Sequence, residues 1–173
     1  MWSEFLPQAD LIYLEYDEEC GEEWRPKLEA MGTTLYVGDQ ADKTLLRRIV
    51  NDQITEGIDI IVDDGGHHMH QQLNSFEVLW EALKPGGIYV IEDLITSYWE
   101  DTGGDPSPGK AGTTIAHIKT ILDELICQED AGTLLDFCKT SKHKDLMSFE
   151  CFSGVCAFFK ANTTSPVLHS THP

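Results

Sequence analysis

Two short stretches carry the residues most suited to chemistry. Asp63-Asp64-Gly65-Gly66-His67-His68 closes one apolar run, and Glu92-Asp93 closes another. Grouped carboxylates are oxygen ligands for a hard cation, and an imidazole with an ordinary pKa of about 6.5 exchanges protons near neutrality. Brought to one place, they suit a metal site or a proton-transfer site. Taken singly, each pair also suits plainer work: Asp63 and Asp64 can cap the helix that follows, and Glu92-Asp93 can open a loop. His68 and His70 extend the group toward multi-histidine ligation. Only some side chains of a first helical turn can face inward, however, so His67 is the candidate base.

The elements around these residues explain how they would meet. Asp59-Ile60-Ile61-Val62-Asp63 and Ile88-Tyr89-Val90-Ile91-Glu92 are unbroken apolar runs. A helical pattern lies between them, with Leu73, Phe76, Leu79, Trp80 and Leu83 toward a sheet and Gln71, Gln72 and Glu77 outside. Strand, crossover helix and parallel strand is the arrangement such runs imply, with Pro85-Gly86-Gly87 turning the chain into the second strand. Parallel strands end at one sheet edge, which is where ligands of open α/β sheets bind. Asp63, Asp64, Glu92 and Asp93 therefore converge there, with His67 close by.

The rest of the chain continues the alternation. Trp2, Phe5 and Leu6 read as the tail of a helix closed by Pro7. Leu11-Ile12-Tyr13-Leu14 reads as a short buried strand ending in Glu15, an acid placed to take the two hydroxyls of a ribose. A polar helix over 22–31 effectively starts at Pro26, and a strand over 33–37 leads to the Gly38-Asp39-Gln40 turn. Asp42 caps a helix bearing Leu45, Leu46, Ile49 and Val50 on one face. A long loop over 98–112 is a candidate substrate cover, and an amphipathic helix over 113–127 carries His117 on its surface. Two strands about Ser153-Gly154 pair antiparallel, and residues 161–173 form a frayed tail after a single domain over 1–160.

Composition narrows the partners. The 173 residues carry a formal net charge of -18, which opposes nucleic acid and anionic membrane surfaces alike. There is no apolar run long enough to span a bilayer and no signal-like start. Cys20, Cys127, Cys138, Cys151 and Cys156 show no C-x-x-C pair and no zinc-like spacing, so reduced thiols in a cytoplasmic protein are the expectation.

Asp63-Asp64-Gly65-Gly66-His67, Lys84-Pro85-Gly86-Gly87, Tyr89-Val90-Ile91-Glu92-Asp93-Leu94 and Gly38-Asp39-Gln40-Ala41-Asp42 together resemble a class I S-adenosylmethionine-dependent methyltransferase. Within that class the chain looks like the metal-dependent sugar O-methyltransferases of macrolide biosynthesis and their fungal relatives. The resemblance implies an α/β Rossmann-like methyltransferase sheet with a C-terminal antiparallel strand pair. It implies S-adenosylmethionine and Mg2+ or a similar divalent cation as cofactors, and a small-molecule hydroxyl, on a sugar or natural product, as acceptor; a homo-oligomer is compatible with it. Asp64, Glu92 and Asp93 would be the metal ligands and His67 the general base. Glu15 would bind the cofactor ribose, Asp39 and Gln40 would lie near its adenine, and Asp63 would contact the cofactor or support the site from behind.

One departure is expected. The family's first strand and Gly-rich cofactor loop have no counterpart before Met1, so the domain is read as N-terminally truncated, with the missing strand belonging between the strands that end at Glu15 and Asp63. Activity is then expected to be impaired. The alternatives are a non-catalytic partner or remnant of a longer methyltransferase, which co-elution with such a protein would reveal, and a metal-dependent hydrolase, which bound zinc would reveal.

Overall fold

A computed structural model describes residues 2–127 and 142–162. The expected tail over 163–173 and Cys138 lie outside the described residues. Among them the chain runs α1 (Trp2–Phe5), β1 (Ile12–Glu15), α2 (Glu18–Ala30), β2 (Thr34–Val37), α3 (Lys43–Gln53), β3 (Ile58–Asp63), α4 (Met69–Ala82), β4 (Leu83–Ile91), α5 (Thr114–Ile126), β5 (Leu146–Cys151) and β6 (Cys156–Lys160). The strands form two sheets. β1 pairs parallel with β2, while β3, β4, β6 and β5 form a four-stranded sheet in that order. β3 and β4 are parallel, with Asp63 opposite Ile91, and β6 runs antiparallel to both β4 and β5. This is the α/β arrangement with a terminal antiparallel pair that the apolar runs imply.

One core organises the larger sheet. Ile61, Tyr89, Ile91 and Phe158 face Phe76 and Trp80 of α4 and Ile118 and Ile121 of α5. Burying each such large side chain contributes roughly 1.5–3 kcal/mol. Ile60 and Val62, which alternate with Ile61 on β3, remain 48% and 36% exposed, so the opposite face of this strand is not covered among the described residues. α3 packs on α4 and so joins the two sheets.

Several elements differ from the sequence reading. α2 begins at Glu18, not near Pro26, because the Asp17 side chain accepts from the Cys20 amide and caps it. The acids 17–19 are thus a cap and a first turn facing the helix dipole, with Pro26 accommodated inside. β1 is short and only partly covered, with Ile12 38% exposed. β4 begins at Leu83, before the Pro-Gly-Gly turn, and absorbs it as a register shift against β3. The 98–112 stretch contains two 3-10 turns, Leu94–Tyr98 reaching into it and Glu100–Thr102.

The largest correction concerns α4. Gln71 and Gln72, read as outward, are 8% and 0% exposed, because their amides bond to main chain and side chains beneath the helix. His117, read as a surface residue, is half-buried edge-on to Phe76, with ring centroids 5.7 Å apart. Finally, Cys151 and Cys156, expected as thiols, lie directly opposite each other in the β5–β6 hairpin and form a disulfide, while Cys20 is free.

Candidate active site

The carboxyl ends of β1, β2 and β3 open onto one cavity of about 580 Å3, lined by Glu15, Asp39, Gln40, Asp64, His68 and Gln71 among others. β1 and β2 deliver Glu15 and Asp39 from one sheet, while β3 delivers Asp64 from the other. Glu15 accepts from the Asp17 amide at 3.0 Å, and Asp39 accepts from the Ala41 amide at 2.8 Å and from Gln71 Nε2 at 3.2 Å. Both acids are thereby oriented by their own turns at the cavity wall.

Gln40 links the two sheets. Its Nε2 donates to Asp63 Oδ1 at 2.8 Å, and its Oε1 accepts from the Gly66 amide at 3.0 Å. The approach explains Gly65, where a Cβ would collide with Gln40 Oε1. Asp63 itself is 6% exposed and also accepts from the hydroxyls of Ser75 and Tyr89. Burial, and then the Asp63 charge, push the Tyr89 hydroxyl well above its usual range, so it stays a donor. Asp63 thus accepts from Gln40, Ser75 and Tyr89 beneath the Gly65-Gly66 turn.

At the rim, Asp64, His67 and Asp93 converge, with one ligand-type atom of each within 4.8 Å of the others. His67 Nε2 is 3.3 Å from Asp93 Oδ2 and 3.9 Å from Asp64 Oδ1. Both carboxylates are largely exposed, at 60% and 62% of the side chain, whereas His67 is at 22%. His67 and Asp93 have φ of 56° and 51°, and no other non-glycine among the described residues has positive φ. Nδ1 of His67 is buried without a partner. Glu92 ends the same strand but its carboxylate is outside this group; its amide donates to the Asp63 carbonyl at 3.0 Å. His68 precedes α4 and His70 lies in its first turn, their rings 5.7 Å apart, and neither joins the cluster. With one imidazole and two carboxylates, the donor set suits a hard cation better than histidine-rich zinc ligation, which counts against the hydrolase alternative.

Sequence reading missed Gln71, Gln72, Ser75 and Tyr89 as parts of this site. The signal was present: Gln72 and Ser75 fall among Met69, Phe76 and Trp80 on the sheet-facing stripe, where a polar residue must find a buried partner.

Parallel strands feeding a carboxyl-edge cavity, with an acid and imidazole rim, define a Rossmann-like α/β ligand-binding domain. No family model matches the chain. It is 35% identical over 130 residues, 75% of its length, to demethylmacrocin O-methyltransferase of Streptomyces fradiae, covering 31% of that protein. It is 32% identical over 130 residues, again 75% of this chain and 31% of the other, to mycinamicin VI 2''-O-methyltransferase of Micromonospora griseorubida. Among solved structures, the MycE methyltransferase from the mycinamycin pathway, in complex with Mg, SAH and mycinamycin VI, superposes with a TM-score of 0.78 at 26% identity, over 99% of this chain and 42% of that one. In sequence and fold the chain is similar to the macrolide and sugar O-methyltransferases, and it spans about a third of the length of the curated relatives.

Proposed function

We propose that this chain carries the metal and base site of an S-adenosylmethionine-dependent O-methyltransferase acting on a hydroxyl of a sugar or small natural product. The convergence of Asp64, His67 and Asp93 at the rim of the cavity carries the reading. The likeness to sugar O-methyltransferases, and to a structure holding Mg and SAH, supports it.

The donor set fits a divalent cation: two carboxylates face one another across an imidazole, and their mutual repulsion is relieved by positive charge. Asp64 and Asp93 would hold the ion, while the Glu92 carboxylate lies outside this group. Bound there, the cation supplies Lewis acidity that lowers the pKa of a substrate hydroxyl. His67 takes the hydroxyl proton at Nε2, the nitrogen turned toward the carboxylates. Glu15 faces the cavity as an acceptor for the ribose of the methyl donor and Asp39 with Gln40 for its adenine, and Asp63 braces Gln40 from β3. The methyl donor would supply a sulfonium methyl for in-line transfer to that oxygen, its thioether leaving, and the residues of this chain would keep the two reactants in register. No helix among the described residues is long and apolar enough to cross a membrane, and a cytoplasmic location is part of this proposal.

Transfer of a labelled methyl group from S-adenosylmethionine to macrolide glycosides tests the reading. His67→Ala and Asp64→Ala should each lower turnover by roughly a hundredfold or more, while the circular dichroism of the fold is unchanged. Undiminished transfer in both variants would end the assignment.

A further inference from the structure

Gln72 is wholly buried, at 0% exposure, on the face of α4 that meets the sheet. A hydrophobe would fill this stripe position without the desolvation cost of an amide. Both ends of the amide are instead bonded: Nε2 donates to the main-chain carbonyl of Glu92 at 2.9 Å, and Oε1 accepts from Thr114 Oγ1 at 2.8 Å.

The Glu92 carbonyl belongs to the peptide that joins Glu92 to Asp93, and the tilt of that peptide sets φ of Asp93. Asp93 is held at φ 51° and ψ 40°, a left-handed conformation that Asp enters more readily than most residues with a Cβ but still at a cost. The contacts that hold it there surround it. Beyond Asp93, its carbonyl accepts from the Thr96 amide at 3.0 Å and the Thr96 hydroxyl at 2.8 Å, and the Leu94 amide donates to Gly154 at 2.8 Å. Before Asp93, Gln72 holds the carbonyl from α4, the helix that starts directly after His67 and His68. Without that donor the part-buried carbonyl would lose its partner, and rotating the peptide to find another would carry the Asp93 side chain with it. Thr114, the other partner, opens α5, and its amide and hydroxyl also approach the Met69 sulfur at 3.3 and 3.6 Å.

We infer that Gln72 is a positioning residue: by clamping the Glu92–Asp93 peptide it fixes the Asp93 carboxylate beside His67. The inference rests on Asp64, His67 and Asp93 being the cation site proposed above, and adds to it a residue that touches neither ion nor substrate.

Gln72→Met conserves volume and removes both bonds, whereas Thr114→Val removes only the second. Two readouts on the whole chain separate clamp from cation site: the crystal structure around Asp93, and the affinity for Mn2+ measured by electron paramagnetic resonance. In Gln72→Met, Asp93 should leave positive φ, its carboxylate should move away from His67, and the Mn2+ dissociation constant should rise by roughly tenfold to a hundredfold. Thr114→Val should leave the Asp93 position and the Mn2+ affinity unchanged. Should Gln72→Met fail to fold, Gln72→Asn, one methylene shorter, keeps a polar amide that cannot span both partners and must show the same displacement. An Asp93 that stays beside His67 with unchanged affinity overturns the inference, as does an equal displacement in Thr114→Val. Displacement of Asp93 in a protein whose wild type binds no Mn2+ would uphold the clamp and remove the cation reading.

Discussion

Asp93 and His67 each hold a backbone conformation that costs a side-chain-bearing residue about 1–3 kcal/mol. Their pairing at 3.3 Å is what that strain accompanies. A different histidine gives a prediction of its own. Burial, and then the neighbouring His143, hold the His117 imidazole below its ordinary 6.5, with Glu124, Lys142 and Glu77 as the other charges acting on it. A base whose folded pKa is depressed favours the fold while neutral. Its contribution is therefore present above 6.5 and is lost as pH falls through the folded value. Thermal midpoints should drop between about pH 8 and about pH 5, and His117→Gln should show a smaller drop. An identical drop in both proteins would contradict this. At this scale the sequence was partly legible. His67 and the acid pairs stand out because their types are chemically singular. Gln72 is marked only by its place on the sheet-facing stripe, and His117 not at all, because whether a polar residue on a helix faces inward depends on a partner elsewhere in the chain.

The elements are tied to one another by buried polar links as well as by the core. Lys160, near the end of β6, is 8% exposed; its Nζ donates to the Trp80 carbonyl at 2.8 Å and pairs with Asp145 at 3.0 Å. Asp145 also accepts from Trp80 Nε1 at 3.0 Å. The end of α4, the approach to β5 and the end of β6 thus share one carboxylate. Asp145→Ala leaves an ammonium buried with its charge uncompensated and should cost about 3–5 kcal/mol in urea unfolding. Lys160→Met combined with Asp145→Leu removes both charges and should cost about 1 kcal/mol or less, since apolar replacement of the whole pair avoids the desolvation. Equal losses would show that the pair acts through packing alone. β3, α4 and β4 were legible as elements because their apolar runs and helical spacing are local signals. The Cys151–Cys156 link was not, since it depends on a hairpin register that exists only once β5 and β6 have paired.

At the scale of the whole molecule, the cavity exists because two separate sheets present their carboxyl ends to the same space. Gln40 bridges from the turn after β2 to Asp63 of β3 and to Gly66, and α3 packs on α4 behind it. The alternation of strand and helix made this edge legible as the ligand side. The bridge between the sheets was not legible, because a glutamine in a turn reads the same whether it faces solvent or a neighbouring strand. The central claim is that this assembly brings Asp64 and Asp93 to one cation beside the His67 imidazole. Crystals soaked in Mn2+ and measured at a wavelength that gives anomalous scattering test it most directly. The account predicts a single strong anomalous peak within coordination distance, about 2.0–2.6 Å, of carboxylate oxygens of both Asp64 and Asp93. A peak elsewhere, or none at saturating Mn2+, would contradict it.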